Sequence, residues 1–363
     1  MILSFRYRIP DFVSSTEALQ ETMADSTIYQ PALRNGSQGY RIPLLVNDAP
    51  VFRDDDTSRH QSFEGGYFQG ADVLKNHQHE VRNIMKSEIY CDDEWASINV
   101  TTSIDLIEQT AYLLTAGAMS GTIPHTQPEG SYGLVFTRPL GVVLGIAPWN
   151  APLFLALRAV IAPLATGNTV ILKAMILSLM PDLVLVEKDV VDEFRAELTK
   201  HLQSKNGSAY RLVGPKSQSR VQALVSDAEA KGSSVKSSTE RQPDSNQIPI
   251  TILDNINSSM DFFRTETFGP CLGIVTVSNA DEAVNIVNDS DYGLSVAICT
   301  RNQYTALEMA RRLQVGAVHT NSSTVHDEAT LPHGGTKLSG FGRFGAEWGL
   351  KEFVEMQTVI MHA

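Results

Sequence analysis

Few of the chain's 363 residues combine reactive chemistry with a setting that singles them out. Three are thiols: Cys91, Cys271 and Cys299. A thiolate is a nucleophile and a metal ligand. An odd count without paired spacing gives no disulfide framework, and the absence of a CxxC or His/Cys cluster gives no reason to expect a metal. Cys271 and Cys299 fall in strand-like apolar runs and Cys91 lies far from the other motifs, so all three read as packing thiols. Asn150 follows Pro148 and Trp149 at the end of an apolar run. Its amide can donate to an oxyanion or cap the helix that follows. Lys173 ends a second apolar run, Glu266 opens the string Glu266-Thr-Phe-Gly-Pro270, and His333 precedes Gly334 and Gly335. A lysine at a strand end or a glutamate in a loop is, taken alone, a solvated charge.

The elements around these residues read as α/β. Gly141–Ala147 is a continuous apolar run suited to a strand buried on both faces. Pro152 can open a helix, Gly167 can close it, and Thr169–Lys173 is a second strand. Strand, helix and strand within about thirty residues form a βαβ unit with a right-handed crossover. Upstream, Ile104, Ile107, Ala111, Leu114 and Ala118 put one apolar stripe on a helix over 103–120, and Phe68–Met85 is also periodic. Residues 1 to about 80 otherwise read as irregular. Downstream, Leu183–Val186 reads as a strand that could join the first sheet, and Asp189 as the cap of a helix carrying Val190, Phe194, Leu198 and Leu202. Ser217–Lys231 reads as a helix and Lys231–Gln247 as an exposed loop. Strands over 271–277, 295–300 and 317–320 alternate with helices over 280–288 and 304–313. Phe353–Met361 reads as a last strand.

The formal net charge of -12 argues against a nucleic-acid partner, which needs a basic face. The most apolar stretch, 170–186, is broken by Lys173, Pro181 and Asp182, so no membrane partner is expected. The opening MILSFRYRIPDF lacks the pattern of a secretory signal, and the cytoplasm is the expected location.

Three blocks, 139–173, 266–302 and 331–359, resemble the aldehyde dehydrogenase superfamily in the family's own order. Asn321-Ser-Ser-Thr-Val-His-Asp-Glu328 is similar to the branch acting on aromatic aldehydes such as salicylaldehyde or vanillin. The resemblance implies an α/β, aldehyde dehydrogenase-like fold: a truncated Rossmann-type cofactor domain, an α/β catalytic-type domain and oligomerisation strands. The expected division is 1–182 for the cofactor part, with an oligomerisation segment near 133–140, then 183–345 and a C-terminal strand in 346–363. It implies NAD or NADP as cofactor and an aldehyde as substrate. In such enzymes a cysteine thiolate attacks the aldehyde, hydride passes to the nicotinamide, and a glutamate-activated water hydrolyses the thioester. By the same resemblance Asn150 is the oxyanion donor. Ile146, Trp149, Lys173, Glu266 and Phe268 hold the cofactor, Lys173 at the adenine ribose and Glu266 with Phe268 at the nicotinamide ribose. His333 and His326 would face the substrate funnel.

The sequence departs from that pattern in blocks. The glycine-rich pyrophosphate turn, the Glu-Leu-Gly-Gly string of the general base and the Gly-Gln-x-Cys segment of the nucleophile are absent. Ile176 stands where a ribose-binding Glu is usual, and only nine residues separate Lys173 from Leu183. The expected consequence is impaired oxidation of an aromatic aldehyde. Its alternatives are a non-catalytic pseudoenzyme or assembly partner, as a homo-oligomer or with a full-length homologue, and an incomplete gene model.

Overall fold

Leu183, Val184, Leu185 and Val186 are each 1% exposed, and their alternation shows why. Leu183 and Leu185 enter one apolar cluster while Val184 and Val186 enter another, so helices cover both faces of the strand. The structure, a computed structural model, describes residues 2–5, 44–46, 49–51, 63–89, 91–127, 130–148, 150–175, 183–205, 207, 209–212, 215–239, 247–325 and 327–362.

In chain order the elements that matter begin with β1 (Ile2–Phe5), α1 (Phe63–Ile89), α2 (Asp93–Thr115) and β2 (Tyr132–Pro139). Next come β3 (Val142–Pro148), α3 (Pro152–Ala165), β4 (Thr169–Met175), β5 (Leu183–Glu187), α4 (Val191–Ser204) and α5 (Pro215–Ala230). The rest are β6 (Ser234–Ser237), β7 (Thr251–Asp254), β8 (Cys271–Val277), α6 (Ala280–Asn288), β9 (Ser295–Ile298), α7 (Gln303–Arg312), β10 (Ala317–Thr320) and β11 (Val354–Met361).

The main sheet runs β10-β9-β1-β5-β8-β7-β6. Its pairs β9–β10, β5–β8 and β8–β7 are parallel, as crossover helices require. β1 lies antiparallel to both β5 and β9, so residues from the start of the chain complete a sheet built from its second half. A short four-residue strand gives no periodic signal, which is why 1–80 read as irregular. β5 joins this sheet and does not extend the earlier βαβ unit. The expected exposed loop over 231–247 contains β6, which pairs antiparallel with β7.

The βαβ unit forms as expected, with β3 and β4 parallel and Val142 opposite Thr169. Gly167 takes φ 89° just past the end of α3, a left-handed conformation that glycine adopts freely. One expectation fails: β3 is not buried on both faces. Val142 is 70% and Leu144 53% exposed, and only Gly145 and Ala147 are buried. Among the described residues β3 and β4 form a sheet of two, and the run has a cover on its α3 side alone. There Gly145 permits close packing, because a Cβ would stand 3.1 Å from the Ala159 carbonyl oxygen.

Two helix limits also differ. α2 starts ten residues before the predicted span, capped by Asp92, whose carboxylate accepts from the Trp95 amide at 2.8 Å. It ends at Thr115, leaving Ala118 outside. Asp189 is not a cap: Val190 holds that position for α4 and makes no side-chain capping bond. Helices α1, α2 and α3 pack around Ala71, Leu74, Val100, Leu106, Ile107, Phe154 and Ile161. No helix among the described residues is long and apolar enough to cross a membrane.

Candidate active site

Two helices and a loop enclose a cavity of about 890 Å³. α2 supplies Trp95, Ile98, Asn99, Thr102, Asp105, Gln109 and Tyr112, steps of three and four that place them on one face. The opposite stripe, with Leu106, Ile107 and Ala111, is buried in the three-helix core. α3 adds Phe154, Leu155 and Arg158, the β3–α3 turn adds Asn150 and Ala151, and the segment from Ser322 to His333 closes the far wall.

Arg158 is the one charge in the apolar helix PLFLALRAVIAPLA. Its guanidinium contacts the Asp327 carboxylate and lies over the Phe154 ring, 4.5 Å from the centroid, with Phe344 at 5.9 Å. Burial pulls the guanidinium down to about 9, which leaves it cationic at neutral pH. Burial, reinforced by the neighbouring Arg158, lowers His333 to about 3. Its Nδ1 stands 3.7 Å from Asp327 Oδ1, and since the ring is neutral near pH 7 the contact there is not an ion pair.

The turn into α3 is where Asn150 sits. Its carbonyl accepts a hydrogen bond from Trp95 Nε1 at 2.7 Å, which ties the turn to α2. The capping alternative for Asn150 does not hold, because Ala151 is the cap residue and no side chain caps α3. Asn150 Oδ1 is buried without a hydrogen-bond partner. The unpartnered atom is the acceptor of the amide, so a donor to a carbonyl oxygen would have to be its Nδ2. Asn99, 1% exposed, also faces the cavity. Its Nδ2 donates to the Trp95 carbonyl at 3.1 Å, and its Oδ1 is unpartnered.

The other predicted positions stand elsewhere. Ile146 on β3 is 39% exposed and Lys173 on β4 is exposed, both on the two-stranded unit. Trp149, Ile176 and His326 lie outside the described residues. Glu266 is 5% exposed and Phe268 takes φ 48°, a strained value for a bulky residue. Arg220 of α5 holds this loop: its guanidinium donates to the Glu266 carbonyl at 2.6 Å and the Thr267 carbonyl at 2.5 Å. The same group lies 4.9 Å from the Phe268 ring centroid. Of the predicted residues, Asn150 and His333 meet at the cavity; Ile146, Lys173, Glu266 and Phe268 do not line it.

No cysteine lines the cavity either. Cys271 is 1% exposed in the core beside α5, and burial with the neighbouring Asp92 raises Cys91 above the ordinary thiol range, the reverse of activation. Among the described residues no group of His, Cys, Asp and Glu could hold a metal. Sequence reasoning missed Trp95, Phe154, Arg158 and Asp327. The lone arginine in an apolar helix was a usable signal for one of them, since a charge there needs a buried partner.

The profile described as "Aldehyde dehydrogenase family" matches residues 67–180 and 177–359. A vanillin dehydrogenase of Pseudomonas fluorescens is 26% identical over 382 residues, covering 74% of this chain and 78% of that protein. A benzaldehyde dehydrogenase [NAD(+)] of Pseudomonas putida is 27% identical over 361 residues, covering 68% and 73%. The fold is similar to the crystal structure of a salicylaldehyde dehydrogenase from Pseudomonas putida complexed with salicylaldehyde. The TM-score is 0.74 at 23% identity, over 83% of this chain and 85% of that one. The first alignment spans more positions, 382, than the 363 residues of the chain, so the relative has internal residues without a counterpart here.

Proposed function

The chain belongs to the aldehyde dehydrogenase family, and on that footing we propose that its cavity receives an aromatic aldehyde without the nucleophile needed to oxidise it. One observation carries this reading: the cavity wall presents Asn150 and the rings of Trp95, Tyr112 and Phe154, but none of the three cysteines. An aromatic ring packs against such a wall, and the Asn150 amide can donate to the carbonyl oxygen. That hydrogen bond polarises the carbonyl and would strengthen as negative charge develops on the oxygen. The family's oxidation then needs a thiolate to attack the carbonyl carbon, and no thiol stands within this wall. The extra internal residues of the vanillin relative fit a chain that has lost the nucleophile-bearing block.

The family's dinucleotide supplies a hydride acceptor when bound. The residues present fit it incompletely. Lys173 and Glu266 could meet the two ribose ends, but the turn from β3 to α3, Pro148 to Pro152, contains no glycine for a phosphate approach. The one glycine on β3, Gly145, makes room for Ala159 instead. Arg220 lies over the Phe268 ring, where a ribose would pack. Weak binding of NAD or NADP is the expected result.

Calorimetric titration with benzaldehyde and assay of NADH formation test the reading together. Benzaldehyde binds, Asn150→Ala weakens it about three- to tenfold as one hydrogen bond is lost, and NADH forms no faster than in buffer. Sustained NADH formation that Cys271→Ser abolishes would overturn the proposal.

Assembly is a second reading, favoured by the ribbon of β2 and β11, paired antiparallel from Tyr132–Met361 to Pro139–Val354. Tyr132 is 62%, Phe136 45%, Met356 78% and Ile360 54% exposed on it. Such apolar exposure on a two-stranded ribbon suits pairing with another chain. Light scattering should find a dimer or larger species, and a monomer at tens of micromolar would reject this reading.

A further inference from the structure

The cavity is long as well as large. Its volume of about 890 Å³ lies near the top of the roughly 300–1,000 Å³ typical of pockets that take drug-sized ligands. One wall is α2, which contributes side chains from Trp95 through to Tyr112. A helix rises about 1.5 Å per residue, so this wall runs for roughly 25 Å, several times the length of a one-ring aldehyde. Its two ends differ. Asn150 is fixed beside the Trp95 end, because its carbonyl accepts from Trp95 Nε1 at 2.7 Å. Phe154 and Leu155 on α3 make that end apolar. The far end carries the amide of Gln109 and the ring of Tyr112, which is 59% exposed. Between them Arg158 pairs with Asp327 and Lys75 with Glu108, so these charges are matched within the protein.

We propose that the groove takes an aromatic aldehyde with a long, uncharged substituent para to the carbonyl, and that Gln109 and Tyr112 are the specificity-determining residues for that tail. The inference rests on the aldehyde-pocket reading and adds the substrate class to it. Length is the reason. With the carbonyl at Asn150, the first ring lies against Trp95 and Phe154. A one-ring ligand then leaves the α2 wall beyond Thr102 in contact with water. A para tail continues along that wall and takes its own apolar area, with part of the Tyr112 ring, out of water. An ether or hydroxyl oxygen on the tail accepts from the Gln109 amide. An ionised tail would lose hydration while Arg158 and Glu108 already hold partners.

The test is calorimetric titration of the intact chain with benzaldehyde, 4-(benzyloxy)benzaldehyde and benzaldehyde bearing a para tri(ethylene glycol) ether. Both long aldehydes should bind about tenfold more tightly than benzaldehyde, which is the part of the added burial that survives the cost of ordering the tail. Tyr112→Ala and Gln109→Ala place the best helix former in α2, so the helix persists. Each should weaken the long aldehydes about threefold or more and leave benzaldehyde unchanged. Asn150→Ala should weaken all three alike. Equal affinity for short and long aldehydes overturns the extended groove and leaves the pocket assignment standing. A tail gain that survives both Tyr112→Ala and Gln109→Ala overturns it in the same way. Binding by none of the three aldehydes overturns both.

Discussion

The β5 strand and the β3 strand are both uninterrupted apolar runs, yet one is the driest part of the molecule and the other is half wet. Leu183–Val186 are each 1% exposed, whereas Val142, Leu144 and Ile146 on β3 are 70%, 53% and 39% exposed. The difference lies in their neighbours. β5 has strands on both sides and apolar clusters on both faces; among the described residues β3 has one strand beside it and one helix above it. An apolar run states that a strand can be buried, while its burial depends on elements elsewhere in the chain.

The largest expected effect follows from this contrast. Phe262, 0% exposed, fills the cluster beneath β8 and β5, where a Cβ on Gly273 would come within 2.8 Å of its ring. Phe262→Ala should cost about 3–5 kcal/mol in chemical denaturation. Leu144→Ala on the open face of β3 should cost less than about 1 kcal/mol, because little transfer from water is undone. Similar costs at the two sites would mean that the open face of β3 is covered in solution.

The next effect tests what holds the small sheet to the rest. Asn168, 5% exposed, accepts from the Gly141 amide at 2.7 Å and donates to the carbonyls of Pro163 and Phe353 at 3.2 and 2.9 Å. One side chain thus links the start of β3, the end of α3 and the approach to β11. Asn168→Ala should lose about 2 kcal/mol, since it leaves several backbone groups unpaired. Hydrogen exchange at Gly141 should quicken while the β5 amides stay protected. Uniform loss of protection would instead make the two sheets one cooperative unit.

Legibility in the sequence followed the same division. The βαβ unit, the strands over 271–277 and 317–320 and the family itself could be read from local strings, because turn chemistry and strand period are local properties. The start of α2 could not, because its first turns carry Trp95, Asn99 and Thr102, a polar and aromatic face that breaks the apolar stripe while building the cavity wall. β1 was invisible because four residues hold no period and their partners lie about 180 and 290 residues away. At the site, Asn150 was legible through Pro148-Trp149-Asn150. The Arg158–Asp327 pair was not, since an ion pair separated by so much chain leaves no pattern in either segment.

The smallest effect belongs to His333, on the segment that closes the cavity. Its imidazole is held neutral, with a folded pKa of about 3 against 6.5 for a free side chain. The unfolded chain therefore binds a proton that the folded chain refuses between those values, and stability falls as pH drops below about 6.5. Above that pH neither state is protonated, and the group contributes no slope. One pH unit below the unfolded value, near pH 5.5, the loss should be about 1.4 kcal/mol, with a slope no steeper than about 1.4 kcal/mol per pH unit. His333→Gln should remove that part of the slope and leave stability at pH 8 within about 1 kcal/mol of the parent, since glutamine keeps a polar side chain beside Asp327. If the variant retains the full acid slope, the proton uptake lies elsewhere. If instead only the cavity segment opens first in acid, seen as early loss of protection between Ser322 and His333 with β5 still closed, the wet half of the molecule yields before the dry one.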